Sequence, residues 1–230
     1  IYQEGVDDRD SLRACPRCTI RSGVCKDMYR QFARFYDAIP LNDFTPIVME
    51  LIRACKRAVH DVLDLGCGTG KFLLMLAEQG IGGTGIDISE DMIARARTKA
   101  KEIAASGIVS FRVGSIVDFR LDKTFDLVTC NLDTINHLLS EDEVRRTFAN
   151  AYRHLNDNGM FYFDIHTTAG LRSWVYQRNI HDENLVRFWH GTFNEENAVG
   201  TLYIDAFVKV DPRISLYQRY YETVHERAYP

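Results

Sequence analysis

Short apolar runs alternate with amphipathic stretches through the middle of this 230-residue chain. Most runs are followed by residues whose apolar positions recur three and four apart, the spacing of one helix face. The runs predict five strands, at residues 62–65, 83–88, 109–113, 125–131 and 160–165. Helices are predicted between them, at residues 71–79, 90–105 and 141–155. This alternation predicts an α/β fold with a doubly wound, mostly parallel sheet.

The pattern changes after residue 166. A helix is predicted at about residues 168–177, and three long strands with alternating apolar positions follow at 184–194, 199–210 and 214–227. Polar turns of a few residues join these strands, and connections this short require antiparallel pairing. The sequence therefore predicts an antiparallel meander appended to the parallel sheet.

Three segments are predicted along the chain. Residues 1–25 form a polar leader, and residues 26–166 form the core, which begins with a helix over residues 26–38. Residues 167–230 hold the later helix and the meander. The apolar face of the first helix consists of Met28, Phe32, Phe35 and Tyr36. On spacing alone, such a face packs against the rest of the core.

Composition narrows the range of partners. Charged residues make up 26% of the chain and the formal net charge is −4, with no clustered basic face that would indicate a nucleic acid. No apolar run approaches the ~20 residues that a membrane-spanning helix needs. The first residues lack the basic and apolar regions of a signal peptide. We therefore expect no nucleic-acid partner, no membrane association and a cytoplasmic location.

The six cysteines do not predict a metal centre. Cys67 and Cys130 end predicted buried strands, where reduced thiols of a cytoplasmic protein are expected. Cys15 and Cys18, followed by Cys25, form half of a typical zinc-ligand set. Structural zinc sites are four-coordinate and no second ligand pair follows nearby, so these thiols are predicted to be adventitious and no metal site is expected.

The most informative chemistry follows the first predicted strand. After Asp64, glycine occupies every second position, at Gly66, Gly68 and Gly70, and a helical pattern begins immediately afterwards. Glycine lets the backbone approach a ligand closely, and loops at the carboxyl ends of parallel strands bind nucleotide-like cofactors. Asp87 ends the second strand, where an acid accepts hydrogen bonds from the hydroxyl groups of a ribose.

A nicotinamide dinucleotide is one alternative ligand for this loop. The dinucleotide fingerprint is G-x-G-x-x-G, whereas this loop reads G-x-G-x-G. A carboxylate at Asp64 would also face a cation more favourably than a diphosphate. Both features disfavour a nicotinamide-dependent oxidoreductase.

Four ordered segments resemble the motifs of class I S-adenosylmethionine-dependent methyltransferases. They are residues 62–70 (VLDLGCGTG), 85–89 (GIDIS), 125–131 (FDLVTCN) and 158–164 (NGMFYFD). Residues 29–37 (YRQFARFYD) and 226–229 (ERAY) resemble a small-molecule methyltransferase subgroup that has an antiparallel insertion after the fifth strand. The resemblance implies a Rossmann-like methyltransferase fold and S-adenosyl-L-methionine as the cofactor.

The resemblance also implies the cofactor contacts. Gly66 and Gly68 would line the methionine part with Asp64 near its amino group, and Asp87 would hold the ribose. The other contacts are Ile88, Met92 and Ile116 around the adenine, Asn131 and Leu132 beside the sulfonium, and Tyr29 and Tyr36 as a cap. On spacing alone, Ile88 and Met92 fit core positions equally well.

The third motif of this chain departs from the family pattern. The family usually places an acid there, which accepts a hydrogen bond from the adenine amino group. This chain has Ser115, whose hydroxyl group accepts such a bond without charge assistance. We expect either weaker cofactor binding or a water that completes the contact.

The catalytic candidates follow the fourth and fifth strands. Methyl transfer is an in-line displacement that depends on proximity and on exclusion of water, and an acceptor that carries a proton also needs a base. Asp133, His137 and His166 are the candidates for that base. Asp133 and His137 lie about one helical turn apart and could share a face. His137 also fits a packing role, and His166 also fits the start of the next helix.

The sequence is thus interpreted as a methyltransferase that acts on nitrogen or oxygen of a small-molecule acceptor. A non-catalytic protein that keeps the cofactor pocket is the second alternative, because Ser115 is atypical and no base is evident. The family sheet normally gains two strands after the insertion, whereas here only Pro230 follows the meander. We expect that hairpin to be absent, and the exposed sheet edge would favour a homodimer.

Overall fold

The computed structural model describes residues 33, 36–38, 45–54, 58–181, 183–211 and 213–229. The predicted leader with Cys15, Cys18 and Cys25 lies outside the described residues. The same holds for Cys55, for most of the predicted N-terminal helix and for the candidate cofactor contact Tyr29. Within the described ranges, no helix is both long and apolar enough to cross a membrane.

Five parallel strands form the central sheet. They are β1 (Asp61–Leu65), β2 (Gly82–Asp87), β3 (Val109–Val113), β4 (Phe125–Cys130) and β5 (Leu155–Phe163). Their order in the sheet is β3-β2-β1-β4-β5. The helices of this part are α1 (Thr45–Ala54), α2 (Lys71–Glu78), α3 (Glu90–Glu102) and α4 (Glu141–Arg153). The predicted doubly wound α/β fold is confirmed.

Strand β1 is buried on both faces. Successive side chains of a strand point in opposite directions, so neighbouring residues of β1 enter two different cores. Val62 packs into a core that includes residues of α2 and α3. Leu63 and Leu65 pack into a second core, which includes Ala151 of α4. Asp64 lies between them on the Val62 side and is also buried. The alternation of β1 therefore places a carboxylate inside the protein, near the carboxyl end of the sheet.

An antiparallel sheet of four strands follows. The strands, in chain order and in sheet order, are β6 (Gln177–His181), β7 (Leu185–Asn194), β8 (Val199–Asp211) and β9 (Leu216–Arg227). The predicted meander is confirmed, but it has four strands rather than three, since β6 pairs with β7. The β6 sequence QRNIH has only one strongly apolar residue, so it carried no alternation that could indicate a strand.

Two element boundaries differ from the prediction. Strand β5 begins at Leu155, and the predicted turn Asn158–Gly159 lies inside it, where its register with β4 shifts. Asn158 has a φ of 62°, so the turn-forming residues produce an irregularity within the strand. Helix α5 (Thr168–Arg172) is shorter than expected. The division into three segments and the absence of a final hairpin stay predictions.

Candidate active site

A crevice is expected where the strand order reverses, between β1 and β4. Loops after two such strands run in opposite directions and leave room outside the carboxyl ends of the strands. Here the glycine loop follows β1, and a 3-10 turn at Thr134–His137 follows β4. Both segments carry residues that the sequence predicted for the site.

The glycine loop has a left-handed backbone that leaves one side open. Gly66 and Gly68 have φ values of 74° and 52°. A side chain at Gly66 would collide with Thr134, so the loop packs directly against the turn after β4. A Cβ atom at Gly68 would meet nothing within 4 Å. The backbone at Gly68 therefore borders open space and can lie against a ligand.

Asp87 ends β2 beside this loop. Its carboxylate accepts hydrogen bonds from the N–H groups of Gly68 and Ser89, both at 2.8 Å. Burial raises the pKa of Asp87 above its ordinary value, although these two hydrogen bonds act in the opposite direction. Each carboxylate oxygen keeps a lone pair for another donor. This arrangement is compatible with the predicted contact to a ribose.

Asp64 and Asn131 present buried acceptors at the same place. The Thr129 hydroxyl donates to Asp64 Oδ1 at 2.7 Å, and Asn131 Nδ2 lies 3.4 Å from that oxygen. Burial raises the pKa of Asp64 to about 7, with the Thr129 hydrogen bond opposing and the charge of Asp87 adding to the rise. The Oδ1 atom of Asn131 is buried and meets no donor within the described part of the chain.

These two acceptors fit a cationic group that donates hydrogen bonds. An ammonium group beside them would give Asn131 Oδ1 a donor and would compensate the charge of Asp64. The α-amino group of S-adenosylmethionine is such a group, and the open backbone at Gly68 leaves room for its methionine part. The residues of the crevice therefore fit the implied cofactor.

The predicted adenine contacts lie in less open surroundings. Met92 in α3 and Ile116 after β3 are both buried in the hydrophobic interior, whereas Ile88 after β2 is partly exposed. The Ser115 hydroxyl accepts a hydrogen bond from the Val117 N–H at 3.2 Å and so closes a local turn. Met92 and Ile116 thus have core positions, and their contact with adenine stays a prediction.

Leu132 and Asp133 form a sharp bend after β4. Both have left-handed backbones, with φ values of 57° and 53°. The carboxylate of Asp164, just after β5, accepts hydrogen bonds from both of their N–H groups, at 3.1 and 2.8 Å. This conformation costs an ordinary residue roughly 1–2 kcal/mol, which the two hydrogen bonds offset. The bend places the Asp133 carboxylate against His166.

Asp133, His137, His166 and Glu226 meet beside this bend, and we call them the carboxylate–imidazole cluster. His166 Nδ1 lies 3.1 Å from Asp133 Oδ2 and 2.9 Å from Glu226 Oε2. His137 Nε2 lies 3.9 Å from Glu226 Oε1. The structure thus brings together all three candidates for the base and adds a second carboxylate.

Glu226 is a residue that the sequence reasoning did not propose for the site. It is 60 positions from His166 and reaches the cluster only because β9 ends beside the turn after β4. The ERAY segment was its one signal, and that signal concerned family membership rather than chemistry. The Asn136 side chain supports the arrangement through hydrogen bonds to the backbone of His166 and Arg227.

The ionisation of the cluster is strongly coupled. Burial opposes the ionisation of Asp133, yet the two imidazoles hold its pKa below its ordinary value. Hydrogen bonds with Asp133 and Glu226 raise the pKa of His166 to about 10, and burial raises that of Glu226 to about 8. Burial lowers the pKa of His137. Near neutral pH these shifts favour a charged His166 and an uncharged His137 in the same cluster.

Tyr36, in the N-terminal part of the chain, interacts electrostatically with Asp133 and Asp87 of the crevice. It packs against the inner apolar face of the meander, and burial together with the charges of Asp133 and Asp87 raises the pKa of its hydroxyl group. The adjacent Asp37 accepts a hydrogen bond from the Thr69 hydroxyl at 2.6 Å and pairs with Lys99 at 3.1 Å. The described part of the predicted cap thus connects the glycine loop with the meander.

Comparisons with known proteins agree on one family. A family model described as a methyltransferase domain matches residues 62–159. A protein of Geobacillus sp. (strain WCH70), whose name places it among the methyltransferases, is 33% identical over 169 residues. The aligned part covers 70% of this chain and 67% of that protein.

Two solved structures share the architecture. An S-adenosylmethionine-dependent methyltransferase from Clostridium acetobutylicum ATCC 824 is similar with a TM-score of 0.76 and 26% identity, covering 87% of this chain and 82% of its own. CalS10, an amino pentose methyltransferase from Micromonospora echinaspora solved with S-adenosylmethionine bound, has a TM-score of 0.70 and 22% identity. The match covers 86% of this chain and 82% of that one.

Proposed function

This chain belongs to the class I S-adenosylmethionine-dependent methyltransferases, and from that premise we propose that it transfers a methyl group to nitrogen or oxygen of a small-molecule acceptor. One observation carries the proposal. The glycine loop borders open space at Gly68 and directly follows the strand that carries the buried Asp64, and Asp64 in turn lies beside the buried Asn131. The amino pentose methyltransferase that shares this fold is named for a small-molecule acceptor, which supports the same class here.

The crevice residues would hold the cofactor at the carboxyl ends of the strands. Bound S-adenosylmethionine supplies an electrophilic methyl group. Asp64 and Asn131 would fix its amino end, and Asp87 would fix its ribose. The remaining proposed contacts are Gly66 and Gly68 at the methionine part, Leu132 near the sulfonium, and Ile88, Met92, Ser115 and Ile116 at the adenine.

The cap would exclude water from the reacting groups. Tyr36 packs against the meander, and the adjacent Asp37 bonds to Thr69 of the glycine loop. We propose that Tyr36, together with Tyr29, covers the cofactor and one side of the acceptor. In-line displacement gains most of its rate from such positioning, because the reactants are held together and solvent reorganisation is avoided.

The carboxylate–imidazole cluster would receive the proton of the acceptor. It begins at Asp133, directly after the residues proposed to lie beside the sulfonium, so a group that reacts there would lie near it. His166 Nδ1 is already shared between two carboxylates. We propose that Asp133, His137 and His166, with Glu226, form one proton-accepting unit.

The reaction is tested by measuring S-adenosylhomocysteine formation with a panel of small amines, alcohols, phenols and carboxylic acids. Isothermal titration with S-adenosylhomocysteine and with NAD gives the binding control. We expect binding of S-adenosylhomocysteine, no binding of NAD, and turnover with at least one acceptor class. Binding of NAD alone would contradict the proposal. Cofactor binding without turnover on any class would favour the non-catalytic alternative.

A cytoplasmic location is proposed from the state of two cysteines. Cys67 and Cys130 are free, buried thiols, as expected for a cytoplasmic protein. The homodimer also stays a prediction. Fractionation of the source cells and sedimentation of the purified chain would test these two expectations.

A further inference from the structure

We propose that Asp133, His166 and Glu226 form a binding site for one divalent transition-metal cation. The sequence predicts no metal site, because these three residues lie far apart along the chain. These three residues come from the loop after β4, the loop after β5 and the end of β9. Their ligand atoms, His166 Nδ1 and one carboxylate oxygen from each acid, all lie within 4.8 Å of one another.

Two of the three distances match those between neighbouring ligands of one cation, and the two carboxylate oxygens lie within 4.8 Å of each other. For bonds of about 2.1 Å, ligand atoms are about 3.0 Å apart at a right angle and about 3.4 Å apart at the tetrahedral angle. His166 Nδ1 lies 3.1 Å from Asp133 Oδ2 and 2.9 Å from Glu226 Oε2. A cation could therefore enter with small shifts of the three side chains.

A cation would replace the protons that now join these three side chains, because His166 Nδ1 can bind a metal only after it has lost its hydrogen. His166 Nδ1 carries at most one hydrogen, which can point at one carboxylate oxygen at a time. Two carboxylate oxygens nevertheless lie within hydrogen-bonding distance of that nitrogen. A cation at the centre would contact all three atoms at once.

The surroundings hold the three ligands in place. Asp164 accepts a hydrogen bond from the Asp133 N–H at 2.8 Å. Asn136 bonds both the N–H and the carbonyl group of His166, and His137 lies beside Glu226. Outer partners of this kind fix the orientation of metal ligands and usually strengthen binding. The site is thus built on hydrogen-bonded backbone rather than on free surface side chains.

Exposure and donor type indicate the class of ion. The Glu226 side chain is only 3% exposed, whereas those of Asp133 and His166 are 25% and 38% exposed, so the remaining coordination positions face outward. Three protein ligands with an open position are typical of reactive rather than structural sites. One imidazole nitrogen with two carboxylate oxygens favours Mn²⁺ or Zn²⁺ over the all-oxygen preference of Ca²⁺.

An ion at this position would also select the acceptor, a step that rests on the proposed function. Its open positions lie beside the bend at Leu132–Asp133, where the acceptor is proposed to bind. A hydroxyl or carboxyl oxygen of the acceptor could occupy one of them, and the ion would favour the deprotonated form of a hydroxyl group, with the proton released to solvent. The proposed site therefore predicts an oxygen acceptor.

Binding is tested on the full chain after chelator treatment, by titration with Mn²⁺ followed by electron paramagnetic resonance and with Zn²⁺ followed by calorimetry. We expect one ion per chain, and at least ~10-fold weaker binding in Glu226→Gln and His166→Asn. His225→Gln, next to Glu226 on β9, and Asp205→Asn, in an exposed ion pair, are the matched controls and should bind like the parent.

The outcomes separate this site from the proposed function. Pulsed resonance on Mn²⁺-loaded parent protein should detect one coordinated imidazole nitrogen, which tests the site even where a variant fails to fold. No binding at about 1 mM of either ion, or no such nitrogen, would overturn the site. S-adenosylhomocysteine titration is run in parallel without metal. Its failure would count against the proposed function and leave the metal result intact.

Discussion

The side chain of Asn136 makes a reciprocal pair of hydrogen bonds with the backbone of His166. Its amide nitrogen donates to the His166 carbonyl at 3.0 Å, and its oxygen accepts from the His166 N–H at 2.8 Å. The same amide nitrogen donates to the Arg227 carbonyl at 2.8 Å. One fully buried side chain therefore joins the turn after β4, the loop after β5 and the end of β9. These are the three segments that supply the carboxylate–imidazole cluster.

Asn136→Asp should destabilise the protein strongly while keeping the shape of the side chain. The substitution removes both donated hydrogen bonds and leaves the carbonyl groups of His166 and Arg227 facing a carboxylate. We expect a loss of roughly 2–4 kcal/mol in the free energy of unfolding, measured by denaturant titration. Asn197→Asp, in an exposed turn where only the accepting oxygen is used, is the control. Equal stability of the two variants would contradict this role for Asn136.

Asp64→Asn should weaken cofactor binding without disturbing the fold. The substitution removes the negative charge proposed to meet the cofactor's ammonium group, which is worth about 1.5–3 kcal/mol when hydrogen-bonded. We expect the dissociation constant for S-adenosylhomocysteine to rise about 10- to 100-fold in isothermal titration. Asp61→Asn, at the opposite end of β1, is the matched control. An unchanged affinity in Asp64→Asn would place the ammonium group elsewhere.

The same variant should change how the stability of the ligand-free protein depends on pH. Burial raises the pKa of Asp64 from 3.8 to about 7, so the folded state holds this proton more tightly than the unfolded state. The parent protein therefore loses stability as the pH rises from about 4 through about 7, where the buried group ionises. Asp64→Asn lacks this loss and should gain melting temperature relative to the parent at about pH 8, with a smaller difference at about pH 5. A constant difference at both values would show that Asp64 does not titrate in this range.

The contrast between Asp64 and Glu226 shows which site residues can be predicted from the sequence and which cannot. Asp64 is two positions from Gly66, so local spacing placed it at the loop, and β1 alternation explains its burial. Glu226 depends on where β9 ends relative to the turn after β4, which no short-range pattern encodes. Strand β6 was missed for a similar reason, because its pairing with β7 stabilises a segment that lacks alternation of its own.

Met92 illustrates a second limit of sequence reasoning. Its spacing fits a core position and a cofactor contact equally well, and only the packing of α3 distinguishes them. In the structure its side chain is almost completely buried. Resemblance to a motif predicts where a segment of the chain lies in the fold. Whether one of its side chains is exposed to a ligand depends on neighbours that are distant in sequence.

Lys99→Met should speed the release of the cofactor product. Lys99 Nζ bonds to Asp37 at 3.1 Å and to the Thr69 hydroxyl at 3.0 Å, and so holds the residue next to Tyr36 against the glycine loop. Both charges are partly exposed, so the free energy of unfolding should change by less than about 1 kcal/mol. We expect S-adenosylhomocysteine to dissociate roughly 3- to 10-fold faster in stopped-flow measurements. Lys101→Met, on the exposed face of the same helix, is the control, and equal rates in both variants would argue against a cap.

Gly66→Ala should mainly lower the stability of the protein, whereas Gly68→Ala should mainly weaken cofactor binding. Both positions have left-handed backbones, which cost alanine roughly 1–2 kcal/mol. At Gly66 the new methyl group also collides with Thr134, so Gly66→Ala should lower stability well beyond that cost. At Gly68 the methyl group meets open space, so the larger effect of Gly68→Ala should be weaker binding of S-adenosylhomocysteine.

Gly80→Ala separates backbone strain from these two effects. Gly80 has a φ of 78°, and a Cβ atom there meets nothing within 4 Å, but it lies after α2 and outside the proposed cofactor contacts. Its variant should therefore show the backbone cost alone, with unchanged affinity. The expected order of unfolding free energies is Gly66→Ala below Gly68→Ala, with Gly68→Ala close to Gly80→Ala. A methyl group at position 68 would displace a ligand that lies against the backbone there. If Gly68→Ala nevertheless bound S-adenosylhomocysteine as tightly as Gly80→Ala, the open space at Gly68 would not be part of the cofactor site.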